Sequence, residues 1–169
     1  MWNNTETPLA VFFTFRAYGT WLHGDERGSV DRKNNLYRSP RIIRNNNWQK
    51  FNEQLLLHPP FNLDAACRAS VEKAILDTCS KRKWDLNAFN VRTNHVHSVI
   101  SIGAYSADRA LGALKANATR QLKEDGLWKH EHSPWADKGS KRRLWNERNV
   151  WLACDYVNNG QGGDLPEFD

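Results

Sequence analysis

The stretch PLAVFFTFR, residues 8–16, most narrows the range of folds open to this chain. Its apolar residues occupy both alternating faces, which is typical of a central β-strand covered on two sides rather than of a strand that faces water. The chain must therefore supply a covering layer for each face of a sheet. Gly19 is placed to end this first strand.

Two segments further along the chain have the apolar spacing of amphipathic helices. Apolar residues recur at three- and four-residue steps from 64 to 84 and again from 106 to 125. Ser106 can cap the second helix and Gly126 can end it. The inward stripes are predicted to be Cys67, Val71, Ala74, Ile75 and Thr78 in the first helix, and Ala107, Ala110, Leu111, Leu114, Ala118 and Leu122 in the second.

The remaining elements complete a recognisable order. Residues 86–93 and 95–103 alternate as two strands of a hairpin, and KRRLWN (141–146) predicts a short edge strand. NVWLACDYVNN (149–159) predicts a last helix that ends at Gly160. This order predicts an α+β, ferredoxin-like (split βαβ) fold: an antiparallel sheet with helices on one face and an added C-terminal helix.

Length and composition indicate one globular domain with a basic surface. The 169 residues suit a single core, because domains usually hold about 100 to 200 residues. We predict one domain over 1–169 with a polar, Asn- and Arg-rich surface excursion at about 23–60. The net charge of +5 leans towards a polyanionic partner.

Cysteine usage and the start of the chain predict a cytoplasmic protein without a membrane partner. The three cysteines form no CxxC pair, so we expect reduced structural thiols. The opening residues lack the basic and apolar regions of a signal peptide, and no apolar run approaches the roughly 18 residues of a membrane span.

The segment NHVHSVISI, residues 94–102, places two histidines one residue apart within a predicted strand. Because side chains alternate, His95 and His97 share one face with Val99, while Val96 points into a core. Two imidazoles about 7 Å apart along a strand can converge on one divalent ion. The alternative is that each histidine is only hydrogen-bonded at the sheet surface. A histidine-triad hydrolase does not fit, because residue 99 is Val.

Several segments in this order resemble the single-tyrosine transposases of the HUH endonuclease superfamily, including the REP-associated and insertion-sequence tyrosine transposases. The resemblance rests on NHVH at 94–97, followed near the end of the chain by Tyr156 in ACDYVNNGQGG. Residues 13–32 and 138–151 are also similar to segments of that group, so the likeness covers nearly the whole chain. The pair of histidines alone is unspecific, whereas the ensemble is fairly specific.

The resemblance implies a metal-dependent single-stranded DNA endonuclease and strand transferase that acts on hairpin-containing DNA. His95 and His97 would hold Mg²⁺ or Mn²⁺, and Tyr156 would attack the scissile phosphate to form a 5′-phosphotyrosine. Without the resemblance, Tyr156 is an ordinary residue of an amphipathic helix that packs on the sheet. Tyr18 is the rival nucleophile that a control must test. No GxxxxGK[ST] loop for nucleotide hydrolysis is present in the sequence.

The third metal ligand departs from the pattern of the relatives. Many relatives place it four residues after the tyrosine, a position that Gly160 occupies here. Helical spacing favours Asn159, whereas a left-handed turn at Gly160 would fold Gln161 back beside Tyr156. We therefore predict Gln161 as the ligand and keep Asn159 in reserve.

Seven residues are candidates for DNA contacts, although each could equally be a solvated charge or a core aromatic. They are Arg16, Lys115, Arg120, Arg142 and Arg143 for phosphates, and Trp21 and Trp145 for stacking on unpaired bases. Binding to DNA would associate the protein with the nucleoid.

Two other functions stay open from the sequence. One is a HUH replication or plasmid-transfer initiator that uses the same chemistry. The other is a non-catalytic, RRM-like nucleic-acid binding module. Oligomeric state is also open, because the relatives include both monomers and homodimers that exchange the tyrosine helix.

Overall fold

A four-stranded antiparallel sheet forms the centre of the computed structural model, which describes residues 7–20, 46, 47, 50, 56–160 and 165–168. The strands are β1 (Ala10–Arg16), β2 (Asp85–Val91), β3 (His95–Ser101) and β4 (Ser140–Leu144). They lie in the order β2-β3-β1-β4, and all three neighbouring pairs are antiparallel. This order is the predicted split βαβ arrangement, with the KRRLWN segment on an edge strand as expected.

In the described part of the chain, three helices cover the sheet. Helices α1 (Ala65–Arg82) and α2 (Ala107–Glu124) pack together on one face, and α3 (Glu147–Asn159) packs on the other. Every residue of the two predicted apolar stripes is buried, which confirms the helical period assigned to both segments. The predicted fold, with two helices on one face and an added C-terminal helix, is therefore confirmed.

Polar side chains fix the start of each helix. Asp64, Ser106 and Asn146 occupy the N-cap positions, and each accepts a hydrogen bond from a backbone N–H in the first turn. Gly126 follows α2 with φ +71°, as expected for a glycine that ends a helix. Helix α1 ends differently, because Lys83 rather than a glycine adopts the left-handed conformation, with φ 56°.

The central strand β1 has apolar side chains on both faces, as its sequence predicts. Phe13 and Phe15 are buried beneath α1 and α2. Phe12 belongs to the second core, together with Val99 of β3 and Ala153 of α3. The two cores are separate clusters on opposite faces of one sheet, and α3 covers the second of them.

Other predictions have mixed outcomes. Cys67, Cys79 and Cys154 are all free thiols, in agreement with the expected reduced state. Among the described residues, no helix is both long and apolar enough to cross a bilayer. Most of the predicted excursion at 23–60 lies outside the described residues, so the excursion and the single-domain assignment stay predictions.

Ser98 of β3 gives a direct test of the core beneath α1 and α2. The residue is fully buried opposite Phe13, and its Oγ has no hydrogen-bond partner within the described part of the chain. Because a buried, unpaired hydroxyl is unfavourable, Ser98→Ala should raise the free energy of unfolding by about 1 kcal/mol. Urea denaturation would measure the change. The neighbouring Ile100→Ala should instead lower it by about 2–5 kcal/mol, and a loss of stability in Ser98→Ala would contradict the prediction.

Candidate active site

His97 and His95 lie on the α3 face of the sheet. Strand pairing places each of them in its own row of side chains across the neighbouring strands. His97 lies between Asn90 of β2 and Thr14 of β1, and we call these three residues the inner row. Side chains directly opposite each other in antiparallel strands point to the same face, so all three meet beneath α3. His95 is one step closer to the end of the sheet and lies opposite Arg16.

His97 is a buried, neutral imidazole. Only 4% of its surface is exposed, and its Nδ1 is 2.8 Å from Thr14 Oγ1. Burial, with smaller contributions from the charges of His95 and Arg92, lowers the pKa of His97 to about 3. A neutral ring keeps a nitrogen lone pair, which is the form that binds a metal ion or accepts a proton.

Asn94 orients the second histidine. The rings of His95 and His97 lie 4.6 Å apart between centroids, and His95 Nδ1 is 2.6 Å from Asn94 Oδ1. An amide oxygen can only accept a hydrogen bond, so this contact suits a His95 ring that donates from Nδ1, and when such a ring is neutral its Nε2 carries the lone pair. Ligating histidines commonly have this arrangement, with one ring nitrogen held by an oxygen and the other turned to the metal. The two side chains therefore fit the imidazole part of a divalent metal site.

Helix α3 brings Tyr156 to the same place. Its half-buried ring lies 5.6 Å from the His97 ring and 6.1 Å from the Phe12 ring, between centroids. Asn90 Nδ2 donates to the backbone carbonyl of Val157 at 3.2 Å, which ties the end of α3 to the inner row. The structure thus places the predicted nucleophile beside one predicted ligand within a single chain. The catalytic role of Tyr156 stays a prediction.

Gly160 ends α3 against the Tyr156 side chain. Its N–H donates to the Tyr156 carbonyl at 2.9 Å, and its φ is −101°. The expected left-handed turn at Gly160 is therefore wrong, because the last turn closes with an ordinary i to i+4 hydrogen bond. A Cβ at this position would lie 3.1 Å from Tyr156 Cδ2, so a larger residue would press on the ring.

The third ligand stays a prediction. Gln161 lies outside the described residues. The reserve candidate, Asn159, is exposed, and its amide donates to Asp155 Oδ1 at 3.0 Å. In the described ranges, no group of three or more His, Cys, Asp or Glu side chains is arranged to hold a metal ion. The imidazole pair is thus the part of the candidate metal site that the structure supplies.

The candidate DNA contacts divide between the two faces of the sheet. Arg16 and Arg142 lie on the α3 face, and Arg142 Cζ is 5.2 Å from the centre of the Phe168 ring. Trp145 follows β4 and is 53% exposed, which suits a stacking side chain. Arg120 lies on α2, which covers the opposite face, and donates to Asn117 Oδ1. Trp21 lies outside the described residues.

Lys115 and Arg143, the two remaining candidates for DNA contacts, interact with other residues of the protein. Lys115 Nζ donates to the carbonyls of Ala136 and Lys138, each at 2.8 Å, and burial lowers its pKa. This lysine therefore fastens the segment before β4 to α2. Arg143 alternates with Arg142 and points to the α2 face, where its charge acts on Asp108. A DNA contact by either residue stays a prediction.

The sequence analysis missed three residues that shape the site. Thr14 and Asn90 complete the inner row, and Arg92 lies opposite His95, where its N–H donates to the His95 carbonyl at 2.8 Å. The predicted hairpin already contained part of this information. If the two hairpin strands are paired about a two-residue loop, Arg92 lies beside His95. The strand register could therefore have identified Arg92 from the sequence.

Burial of His97 predicts how stability depends on pH in the metal-free protein. Because the pKa of His97 falls from 6.5 to about 3 on folding, its contribution is fully present above pH 6.5 and is lost as the pH falls towards 3. We compare the free energies of unfolding of the wild type and of His97→Gln. As the pH is lowered through this window, the wild-type value minus the mutant value should fall by about 1.4 kcal/mol per pH unit. Urea denaturation with a chelator would measure it.

The exposed His130 offers a matched control for that experiment. His130→Gln removes one solvent-facing imidazole and should keep the slope of the wild type. A wild-type protein whose stability changes with pH in parallel with His97→Gln would show that His97 is not held neutral by burial.

Comparisons with known proteins give the family. The family model described as "Transposase IS200 like" matches residues 61–158, and no curated protein matches significantly. A REP-associated tyrosine transposase bound to a REP hairpin shares the fold at 13% identity and a TM-score of 0.50, over 89% of this chain and 65% of that one. A "putative transposase" from Deinococcus radiodurans R1 is 14% identical, covers 93% of both chains and has a TM-score of 0.48. This chain belongs to the IS200-like transposase family.

Proposed function

We propose that this transposase cuts and rejoins single-stranded, hairpin-containing DNA through a covalent bond to Tyr156. His95, His97 and Gln161, with Asn159 in reserve, would hold Mg²⁺ or Mn²⁺. The observation that carries the proposal is the 5.6 Å separation of the Tyr156 and His97 rings. Such a reaction needs the attacking phenol close to the imidazoles that would hold the metal ion, so that both can act on one phosphate.

The proposed reaction exchanges one phosphodiester for another. The Tyr156 hydroxyl oxygen attacks the scissile phosphorus and loses its proton to solvent. The bond from phosphorus to the 3′ oxygen breaks, and that oxygen takes up a proton as it leaves. The products are a 5′-phosphotyrosine and a strand with a free 3′-OH. Because the phosphodiester linkage is conserved, the reverse attack by a 3′-OH can join strands without nucleotide hydrolysis.

Activation of the tyrosine is the main energetic demand. A phenol with a pKa of about 10 is only about one part in a thousand ionised at pH 7, which corresponds to a deficit of roughly 4 kcal/mol. A bound divalent ion would supply Lewis acidity at the phosphate and offset part of this deficit. The protein contributes orientation: Asn90 ties down the end of α3, and Phe12 flanks the Tyr156 ring.

The family and the fold neighbour support the proposed substrate class. The structure of that neighbour contains a REP hairpin. The chain spans 65% of the length of that protein, so hairpin binding by this chain is part of the proposal. The excess of basic residues, 24 Lys and Arg against 19 Asp and Glu, supports a nucleic-acid substrate.

The covalent intermediate gives the decisive test. A hairpin-containing oligonucleotide labelled at its 3′ end should migrate with the protein in a denaturing gel when Mn²⁺ is present. A 5′ label should instead appear on a released fragment with a free 3′-OH. Tyr156→Phe should abolish the adduct, because the attacking oxygen is gone, yet still bind the DNA in an anisotropy titration.

Tyr18→Phe is the matched control, because it removes one other phenolic oxygen from the described part of the chain. It should form the adduct at the wild-type rate. An adduct that persists in Tyr156→Phe would assign the nucleophile elsewhere. Wild-type protein that binds hairpin DNA but forms no adduct would favour a binding module.

Asn94 tests the proposed metal site without relying on cleavage. Its Oδ1 is placed to accept the Nδ1 proton of His95, which leaves the lone pair of a neutral ring on Nε2. Removal of such an outer partner usually weakens metal binding about 10- to 100-fold. Asn94→Ala should therefore reduce Mn²⁺ affinity by that factor in a titration followed by electron paramagnetic resonance.

Asn94→Asp keeps an acceptor oxygen at the same position and should retain most of the affinity. Equal Mn²⁺ affinities for the wild type and Asn94→Ala would contradict the assignment of His95 as a ligand.

A further inference from the structure

Arginines flank His95 on both neighbouring strands at the open end of the sheet. Arg16 pairs with His95 from β1, and the Arg92 N–H donates to the His95 carbonyl from the β2 side. We call Arg92, His95 and Arg16 the end row. It lies one step beyond the inner row on the same face, because residues two apart in a strand share a face. Within the described part of the chain, Arg92 is exposed and the other two members are half-buried.

The charge of Arg92 reaches into the candidate metal site. Arg92 lies directly beside His95 on the neighbouring strand, and alternation along the strand turns its side chain to the face that carries both imidazoles, so its positive charge lies near them. The same field must oppose any cation placed on the two imidazoles, because like charges repel.

We propose that Arg92 and Arg16 form a phosphate-binding pair at the end row, and that Arg92 makes metal binding by the histidines depend on a bound DNA phosphate. This inference deepens the proposed function and rests on it, because it takes single-stranded DNA as the source of the phosphate. An arginine on each side of His95 can bind two oxygens of one phosphate or the phosphates of successive nucleotides. The anion then neutralises the arginines and removes the barrier to the divalent ion.

The proposal predicts effects of opposite sign when the Arg92 charge is removed. Without DNA, the divalent ion no longer meets a neighbouring cation, so its affinity should rise. DNA loses one phosphate contact, so its affinity should fall. A purely structural role for Arg92 would lower both affinities together, because a disordered hairpin would disturb His95 as well.

The experiment compares Arg92→Gln with the wild type in two titrations. Mn²⁺ binding to the DNA-free protein should strengthen about 3- to 6-fold, as expected for loss of a unit charge about 8 Å from a divalent ion in a solvated site. Binding of a hairpin-containing oligonucleotide without metal should weaken about 5- to 10-fold. The slope of log affinity against log salt should become shallower by about 0.7, the value for one phosphate contact on a single strand.

Two further variants make the result specific. Arg92→Lys restores the charge and should return Mn²⁺ affinity close to the wild-type value. Arg109→Gln removes an equal charge from the exposed surface of α2, on the opposite side of the sheet, and should change neither titration. Unchanged or weakened Mn²⁺ binding in Arg92→Gln would overturn the inference.

Adduct formation by the wild type, measured in the same preparations, separates this inference from the proposed function. A wild-type protein that forms the adduct while Arg92→Gln leaves both affinities unchanged would overturn the role of Arg92 alone. A wild-type protein that binds no Mn²⁺ with or without DNA and forms no adduct would overturn both.

Discussion

The hydrogen bond between His97 and Thr14 is the interaction on which the candidate site depends. An imidazole with 4% of its surface exposed is unfavourable in a core unless a ring nitrogen has a partner, and the antiparallel register of β1 and β3 supplies one. That register also fixes which face His97 occupies, since a shift of one residue would turn it into the core beneath α1 and α2. Sheet pairing and site chemistry are therefore a single constraint.

Helix α3 completes the site by covering the second face of the sheet. Ala153 and Val157 face the sheet, and their small size lets the helix lie close enough for Asn90 to reach the Val157 carbonyl. The Tyr156 ring is then held between His97 and Phe12.

Local sequence patterns predicted the helices and strands. They did not predict the strand pairing that brings other residues next to the two histidines. The 3.6-residue period identified every buried residue of the predicted α2 stripe, and Ser106 marked its start, because helix faces and caps depend on nearby residues. Alternation placed His95 and His97 on one face. Thr14 and Asn90 needed the register between distant strands, and the ending at Gly160 needed a backbone angle that a glycine does not dictate.

Electrostatics then sets the order in which such a site can assemble. Two imidazoles are a weak ligand set for Mg²⁺, which prefers oxygen, and the described part of the site adds arginines rather than carboxylates. In the proposed site, phosphate oxygens would supply both further ligands and negative charge. Substrate and metal should therefore bind cooperatively, because each reduces the electrostatic cost of the other. Such coupling would confine the activated tyrosine to the moments when a DNA strand is in place.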